Sequence, residues 1–416
     1  MSADGTDGGM WKADVAVAGG GMAGLTLALA LASAGVSVTV VERDDPGAWA
    51  DDAFDGRVSA IAAGSRRVLE TLGAWAAMAR AAEPILDIRV TDDDQPFLLH
   101  FGHEELGAGP LGHIVENRVI RAALAAAVKA EDRIRLLAPA GIAAVERDRR
   151  SATLTLGDGR HVTAALLVGA DGRGSLVRES AGISQTHWRY DQAAVVTTVI
   201  HDRPHEGTAE ERFLAAGPFA ILPMTDDEAG RHRSSIVWTE RANLVPAYLD
   251  LGVPDFDAEI GARFGDHLGA VRASGPRWSY PLGLNLAETY IAERLALIGD
   301  AAHGIHPIAG QGLNLGIRDA AALAQVVVDN RRLGLDFGMT TALEGYERWR
   351  RFDNVALAAT TDILNRLFSN TFGPLRLARG LGLAAVGRIG PARRLFMREA
   401  MGLAGDLPRL VRGEAL

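Results

Sequence analysis

The chain of 416 residues contains no cysteine. That absence excludes disulfides, thiolate nucleophiles and cysteine-ligated metals, and it means that any redox chemistry must come from a cofactor. Lysine is nearly absent too. Lys12 and Lys129 are the only two, so 41 of the 43 basic residues are arginine and most candidate lysine catalysts are removed. His303 and His306 stand three apart with no further histidine or carboxylate at ligand spacing, so no metal site is expected; nor does any Ser-His-Asp order suggest a hydrolytic triad. The first ten residues are acidic and glycine-rich, without a basic stretch before an apolar core, and are not expected to form a signal peptide. A net charge of −9 argues against a nucleic-acid partner. What remains is the composition of a folded soluble protein, 48% apolar and 23% charged, long enough for two or three domains.

Charge is also missing between Asp14 and Glu42, a stretch that hydropathy alone would read as a membrane span. Its internal punctuation says otherwise. Residues 15–18 read as a short strand, Gly19-Gly20-Gly21 break it, residues 22–34 read as a helix closed by Gly35, and residues 36–41 form a β-branched second strand. In this βαβ unit Gly19, Gly21 and Gly24 fit G-x-G-x-x-G, and Glu42 follows at the end of the second strand. The glycines allow a tight turn, approach to a pyrophosphate and helix–strand packing, while a carboxylate suits ribose hydroxyls and disfavours a 2′-phosphate. Arg43 stands beside it as a further cofactor contact. The nucleotide is therefore expected to be FAD or NAD.

Residues 294–319 join an apolar strand, a glycine-rich loop and a helix without a spare residue. The strand ends at Gly299-Asp300, which puts a carboxylate at the mouth of a crevice, where it suits a polyol. Pro307 forbids helix, Gly310 and Gly312 permit close backbone approach, and Leu313 and Asn314 open a largely apolar helix whose N-terminus would stabilise an anion.

The run from His306 through Gly316, closed by Asp319, resembles the signature of the flavin-dependent aromatic hydroxylases of ubiquinone biosynthesis, within the single-component FAD monooxygenases. The resemblance implies that Gly299 and Asp300 hold the FAD ribityl chain, that Pro307 lines the oxygen-reacting flavin face, and that amides at Gly312 to Asn314 hold the flavin pyrimidine. It decides for tightly held, non-covalent FAD. Asp55 and Arg57 resemble an Asp-x-Arg element near the flavin, Asn117 and Arg121 a cofactor-side turn and helix, and Asp171 the second fingerprint, near the pyrophosphate and the transient path of NAD(P)H. Pro307, His303 and Arg57 are the candidate catalytic residues; Asn117 also fits as a plain helix cap.

The implied fold is α/β: a discontinuous Rossmann-like FAD-binding domain (1–75, 105–188 and 281–330), an inserted, mainly antiparallel β-sheet for substrate (76–104 and 189–280) and a helical C-terminal region (331–416). Alternating strands at 193–200, 211–214, 219–223 and 234–239 offer Phe213, Phe219, Leu222 and Trp238 as aromatic-pocket candidates. Residues 364–416 carry a formal charge of +6, leaving −15 on the rest, with apolar residues interleaved. That suits anionic lipid or an acidic protein surface, the chain's own acidic body included. The resemblance implies an NAD(P)H- and O2-dependent hydroxylase that works through a flavin C4a-hydroperoxide on a polyprenylated phenol or quinol. Such an enzyme would be cytoplasmic and peripheral to the inner face of the plasma membrane, or part of a ubiquinone-biosynthesis complex. Hydroxylation of another small aromatic, isoprenoid reduction and non-enzymatic prenyl binding on a flavin fold stay open as alternatives.

Overall fold

The computed structural model describes residues 10–45, 56–92, 98–107, 109–305, 310–368 and 390–416. At its centre is a mostly parallel sheet whose strands run in the order Ile291–Ala292, Leu295–Leu297, His161–Gly169, Met10–Ala18, Val38–Val41 and Ile134–Leu137. Val38–Val41 and Leu295–Leu297 are buried at every position, as in interior strands of a parallel sheet with no polar side to alternate with. The charge-free N-terminal stretch forms the βαβ unit expected of it. Its helix, Met22–Ser33, is buried at every position from Gly24 to Ala32, with the sheet on one side and the helices Gly312–Arg332 and Asn117–Lys129 against the others. A helix this uniformly poor in polar residues belongs in a protein core. The meander expected at 142–168 is present as Ile142–Arg147, Ala152–Leu156 and His161–Gly169.

A second sheet of eight strands has the order His303–Gly304, Val271–Ala287, Gln185–His201, His232–Arg241, Gly217–Met224, Thr208–Leu214, Asp87–Asp92 and Leu98–Gly102. Pairing is antiparallel except between Thr208–Leu214 and Asp87–Asp92, where a segment from before the main insertion joins the edge. Gln185–His201 and Val271–Ala287 are each 17 residues long and start or end beyond the expected limits of 189 and 280, so the sheet reaches into the segments assigned to the nucleotide domain. A three-stranded sheet is formed by Val58–Ala62, Gly112–Glu116 and Glu83–Ile85, and its last two strands contact Gly217–Met224 of the second sheet.

The large insertion also contains helices at Val245–Leu249 and Val253–Phe264. Phe256, Ile260 and Phe264, spaced four apart, carry the second helix onto one face of the eight-stranded sheet. After the helix Gly312–Arg332 the chain turns into Thr340–Phe368, which packs back on it, then Gly390–Ala400 and Arg409–Arg412. Leu375, Leu377 and the other apolar residues of the tail between 369 and 389 lie outside the described residues.

Candidate active site

The first glycine loop is built for two different purposes. Gly19 has φ of +102°, and a Cβ there would lie 2.4 Å from the Ala170 carbonyl oxygen; at Gly24 it would lie 2.1 Å from the Gly19 oxygen. Both glycines are required by packing. Gly21 has φ of −68° and would place a Cβ in open space, so its missing side chain serves whatever lies above the loop. No side chain caps the helix that starts there, which leaves its first N–H groups available to an anion. Glu42 orders the loop from the neighbouring strand: its carboxylate accepts from Gly20 N–H at 2.6 Å and from Asp44 N–H at 2.8 Å. Arg43 points outward beside Asp44. An FAD diphosphate fits this donor set in charge and space.

Asp171 does not offer a free carboxylate. It accepts from Ser175 Oγ at 2.5 Å and from Val177 N–H at 3.2 Å, at the start of the short helix Leu176–Ser180. Arg178, buried on that helix, donates to the carbonyls of Arg173 and Ala301, tying this fingerprint to the Gly299–Ala301 turn 123 residues later. Gly299 has φ of +56° and Asp300 is half-exposed, with Arg173 Nε 3.4 Å from its carboxylate. The turn is held from beneath by Asp319, which is wholly buried and accepts from Gly299 N–H at 3.1 Å, His303 Nε2 at 2.5 Å, Arg350 Nε at 2.9 Å and Asn354 Nδ2 at 3.1 Å. Burial alone would raise its pKa, but His303 and Arg350 outweigh that and hold the carboxyl well below the usual carboxylate range. His303, a catalytic candidate from the sequence, is buried against Asp319 and is not among the residues that line the cavity described next.

Between the glycine-rich loop and the second sheet lies a cavity of about 830 Å³ with mainly apolar walls. Gly310, Gly312, Leu313, Asn314 and Asp300 line one side of it. Asn314 braces that side on the strand Val58–Ala62, accepting from Ala62 N–H at 2.9 Å and donating to the Ala60 carbonyl at 2.8 Å, so its backbone rather than its side chain remains for a ligand. Arg57 precedes the same strand, with its guanidinium 5.8 Å from the Tyr280 ring centroid. Asn117 is the first residue of the helix Asn117–Lys129 rather than its cap, accepts from Ser59 Oγ at 2.7 Å, and has Arg121 one turn further on. Pro307, like Asp55, lies outside the described residues.

The pocket candidates divide by strand alternation. Phe213 and Leu222 line the cavity, and Phe213 stacks on Phe368 with ring centroids 4.0 Å apart. Phe219 and Trp238 do not. They are buried on the opposite face under the two inserted helices, where Trp238 packs edge-on against Tyr248 and beneath Arg263, whose guanidinium is 4.0 Å from its ring. Neither helix was anticipated, although Pro254 near a helix start, the Phe256-Ile260-Phe264 spacing and the terminal Gly265 are a readable signal.

One lining residue escaped the sequence reading altogether. Glu211, on Thr208–Leu214, shares the inward register with Ala209 and Phe213, and pairs across the sheet with Ala220 and Val90. No hydrogen bond or ion pair reaches its carboxyl from the described residues, and removal from water pushes its pKa up from 4.5 to about 7. The readable signal was a carboxylate in phase with apolar inward positions.

Comparison with known proteins agrees with this geometry. Residues 12–330 match the family described as FAD binding domain. Ubiquinone hydroxylase UbiL of Rhodospirillum rubrum is 52% identical, over 97% of this chain and 94% of its own length. The 3-demethoxyubiquinol 3-hydroxylase of Escherichia coli is 36% identical, over 94% and 98%. The fold superposes on that of p-nitrophenol 4-monooxygenase PnpA from Pseudomonas putida with a TM-score of 0.77 at 19% identity, covering 95% of this chain and 99% of that one. These matches and the loops above define an FAD-dependent monooxygenase. The chain belongs to the FAD binding domain family, among the hydroxylases of ubiquinone biosynthesis.

Two outcomes follow from the loop and the Glu211 carboxyl, which is partly buried by its accessible surface. Gly21→Leu should fold with an unchanged far-ultraviolet spectrum yet lose FAD on gel filtration, since a Cβ at this position meets no protein atom within 4 Å and the side chain grows into the space left for the ligand. Glu211 has a folded-state pKa above its unfolded value, so its contribution to stability is present below about pH 4.5 and lost as pH rises through about 7. Glu211→Gln should therefore stabilise the protein by roughly 1–3 kcal/mol at alkaline pH, with the gain shrinking on acidification, as read from thermal melts across pH.

Proposed function

We propose that this chain hydroxylates the aromatic ring of a polyprenylated phenol or quinol precursor of ubiquinone, consuming NAD(P)H and O2. The observation that carries the reading is the large apolar cavity, which meets the glycine-rich loop at Asp300 and Gly310–Asn314 and suits an electron-rich ring with an isoprenoid tail. Bound FAD would supply hydride acceptance and oxygen activation. In this reading Gly19, Gly21 and Gly24 receive the diphosphate, Glu42 the adenosine ribose and Asp300 the ribityl hydroxyls. The free N–H groups at Gly312 to Asn314 support negative charge on the flavin pyrimidine. Arg57, Asn117 and Arg121 flank the cofactor, and Pro307 belongs on its oxygen-reacting side. The apolar walls exclude water from the reacting ring.

A prenylated substrate calls for peripheral contact with a membrane, and among the described residues no helix is long and apolar enough to cross one. On Gly390–Ala400, exposed Leu395 and Phe396 stand beside exposed Arg394 and Arg398, a pattern that suits anionic lipid. Not every tail arginine is available: Arg366, Arg393, Arg409 and Arg412 pair with Asp362, Glu105, Asp329 and Glu414.

With 18O2, purified protein, NAD(P)H and a prenylated phenol, the hydroxylated ring should carry the label; label arriving from water, or turnover without O2, would overturn the reading. Co-sedimentation with anionic liposomes should weaken with salt and fall in the Arg394→Glu/Arg398→Glu variant while FAD content is unchanged. Equal binding to neutral liposomes would remove the electrostatic part of the membrane proposal.

A further inference from the structure

We propose that Glu211 is a catalytic residue of the hydroxylation: it receives the proton of the substrate's ring hydroxyl inside the cavity. The assignment rests on the functional reading above for the identity of the substrate, and on the cavity for the identity of the base. The carboxyl stands on an interior strand of the sheet, on the face that lines the cavity, flanked by Ala209 and Phe213 along its own strand and by Ala220 and Val90 across it. None of these neighbours can hydrogen-bond to a carboxylate through its side chain. A carboxyl with no partner among the described residues, set in an apolar wall, is costly to keep, by desolvation of its charged form. A ligand hydroxyl is the partner the site is missing.

The charges on either side of Glu211 along its strand have partners of their own. Glu210, next on the strand, has His267 Nε2 2.9 Å away, and Arg212, on the other side, donates to the Arg263 carbonyl. Of the charged residues across the cavity, Arg173 faces Asp300. Asp92, on the adjacent strand, is buried. Burial is therefore the dominant influence on Glu211, and its ionisation near neutrality makes it a base of useful strength at physiological pH.

In the proposed step the substrate O–H bond breaks, its proton passes to Glu211, and its electron pair stays on oxygen and raises electron density at the ortho and para ring carbons. One of those carbons forms the new C–O bond to the oxygen atom that the O2 reaction delivers. The hydrogen it carried leaves as a proton and is taken up in the water that is the second product. Glu211 then returns its own proton to the ring oxygen, restoring both the aromatic product and the carboxylate. The electrons come from NAD(P)H, as in the parent reaction, so no further oxidant or reductant is needed.

The test uses FAD-loaded protein, a phenol carrying a short prenyl chain, and Glu211→Gln and Glu211→Asp variants. Glu211→Gln should retain FAD at wild-type stoichiometry but lose about 100-fold or more in kcat. It should also lose the rise in kcat/KM through about pH 7 expected of the wild type, while Glu211→Asp restores part of the rate. Wild-type kcat and pH profile in Glu211→Gln, or an equal loss at every pH with no recovery in Glu211→Asp, would overturn the assignment. Binding of a prenylated nitrophenol, whose phenolate absorbs in the visible, separates this proposal from the functional reading. Wild type should bind it as phenolate below the probe's own pKa and Glu211→Gln as the phenol, even if no ring were hydroxylated; identical spectra for the two proteins would remove Glu211 as the proton acceptor.

Discussion

A carboxylate with no access to water is the constraint on which the rest of the site depends. Asp319 lies at the crossing of three segments, and its charge is tolerable because four donors from those segments converge on it. Each donor fixes something different. Gly299 N–H sets the turn that presents Asp300, His303 sets the start of the loop beyond, and Arg350 and Asn354 bring in the long helix Thr340–Phe368. Asp319 itself sits on the helix whose first turn lines the cavity. A displacement of any one segment would uncover the charge, so the carboxylate locks their relative positions more tightly than apolar packing of the same area would.

The same separation of duties appears in the eight-stranded sheet. Its two faces bury side chains of similar character for opposite ends. One face, with Phe219, Ile236 and Trp238, is closed by the helix Val253–Phe264 and forms a solid core; the other, with Ala209, Phe213, Ala220 and Leu222, remains open as cavity wall. Alternation along each strand assigns residues to one or the other without exception at these positions, because successive side chains must point to opposite faces.

Much of this was legible in the sequence. The βαβ unit, the meander, the strands of the insertion and the helices after Asp319 announce themselves through local signals: charge-free β-branched runs, glycine punctuation and helical periodicity. The first glycine loop was legible for the same reason, since close backbone packing dictates glycine at positions 19 and 24. What could not be read locally was which face of a strand would be covered. Phe219 and Trp238 have the composition expected of a pocket and lie in a core, because two short helices elsewhere in the insertion claim their side of the sheet. Glu211 had the composition of a solvated strand residue and stands in an apolar wall. His303 looked like chemistry in a flavin loop and is the partner of a buried charge whose other side-chain partners lie further along the chain, among them Arg350, 31 residues beyond Asp319. Long-range pairing of that kind leaves no periodic trace.

The reach of Asp319 also shows that the matched FAD binding domain is shorter than the unit that folds. The family match ends at residue 330, just inside the helix Gly312–Arg332 that carries Asp319, yet two of the four donors to that carboxylate come from residues 350 and 354. A protein cut at the family boundary would retain every glycine of the nucleotide loops and still strand an ionised carboxylate in its interior. The C-terminal helix is therefore no appendage to a self-sufficient flavin domain. Domain exchange between members of such a family has to move the acid and its distant arginine together.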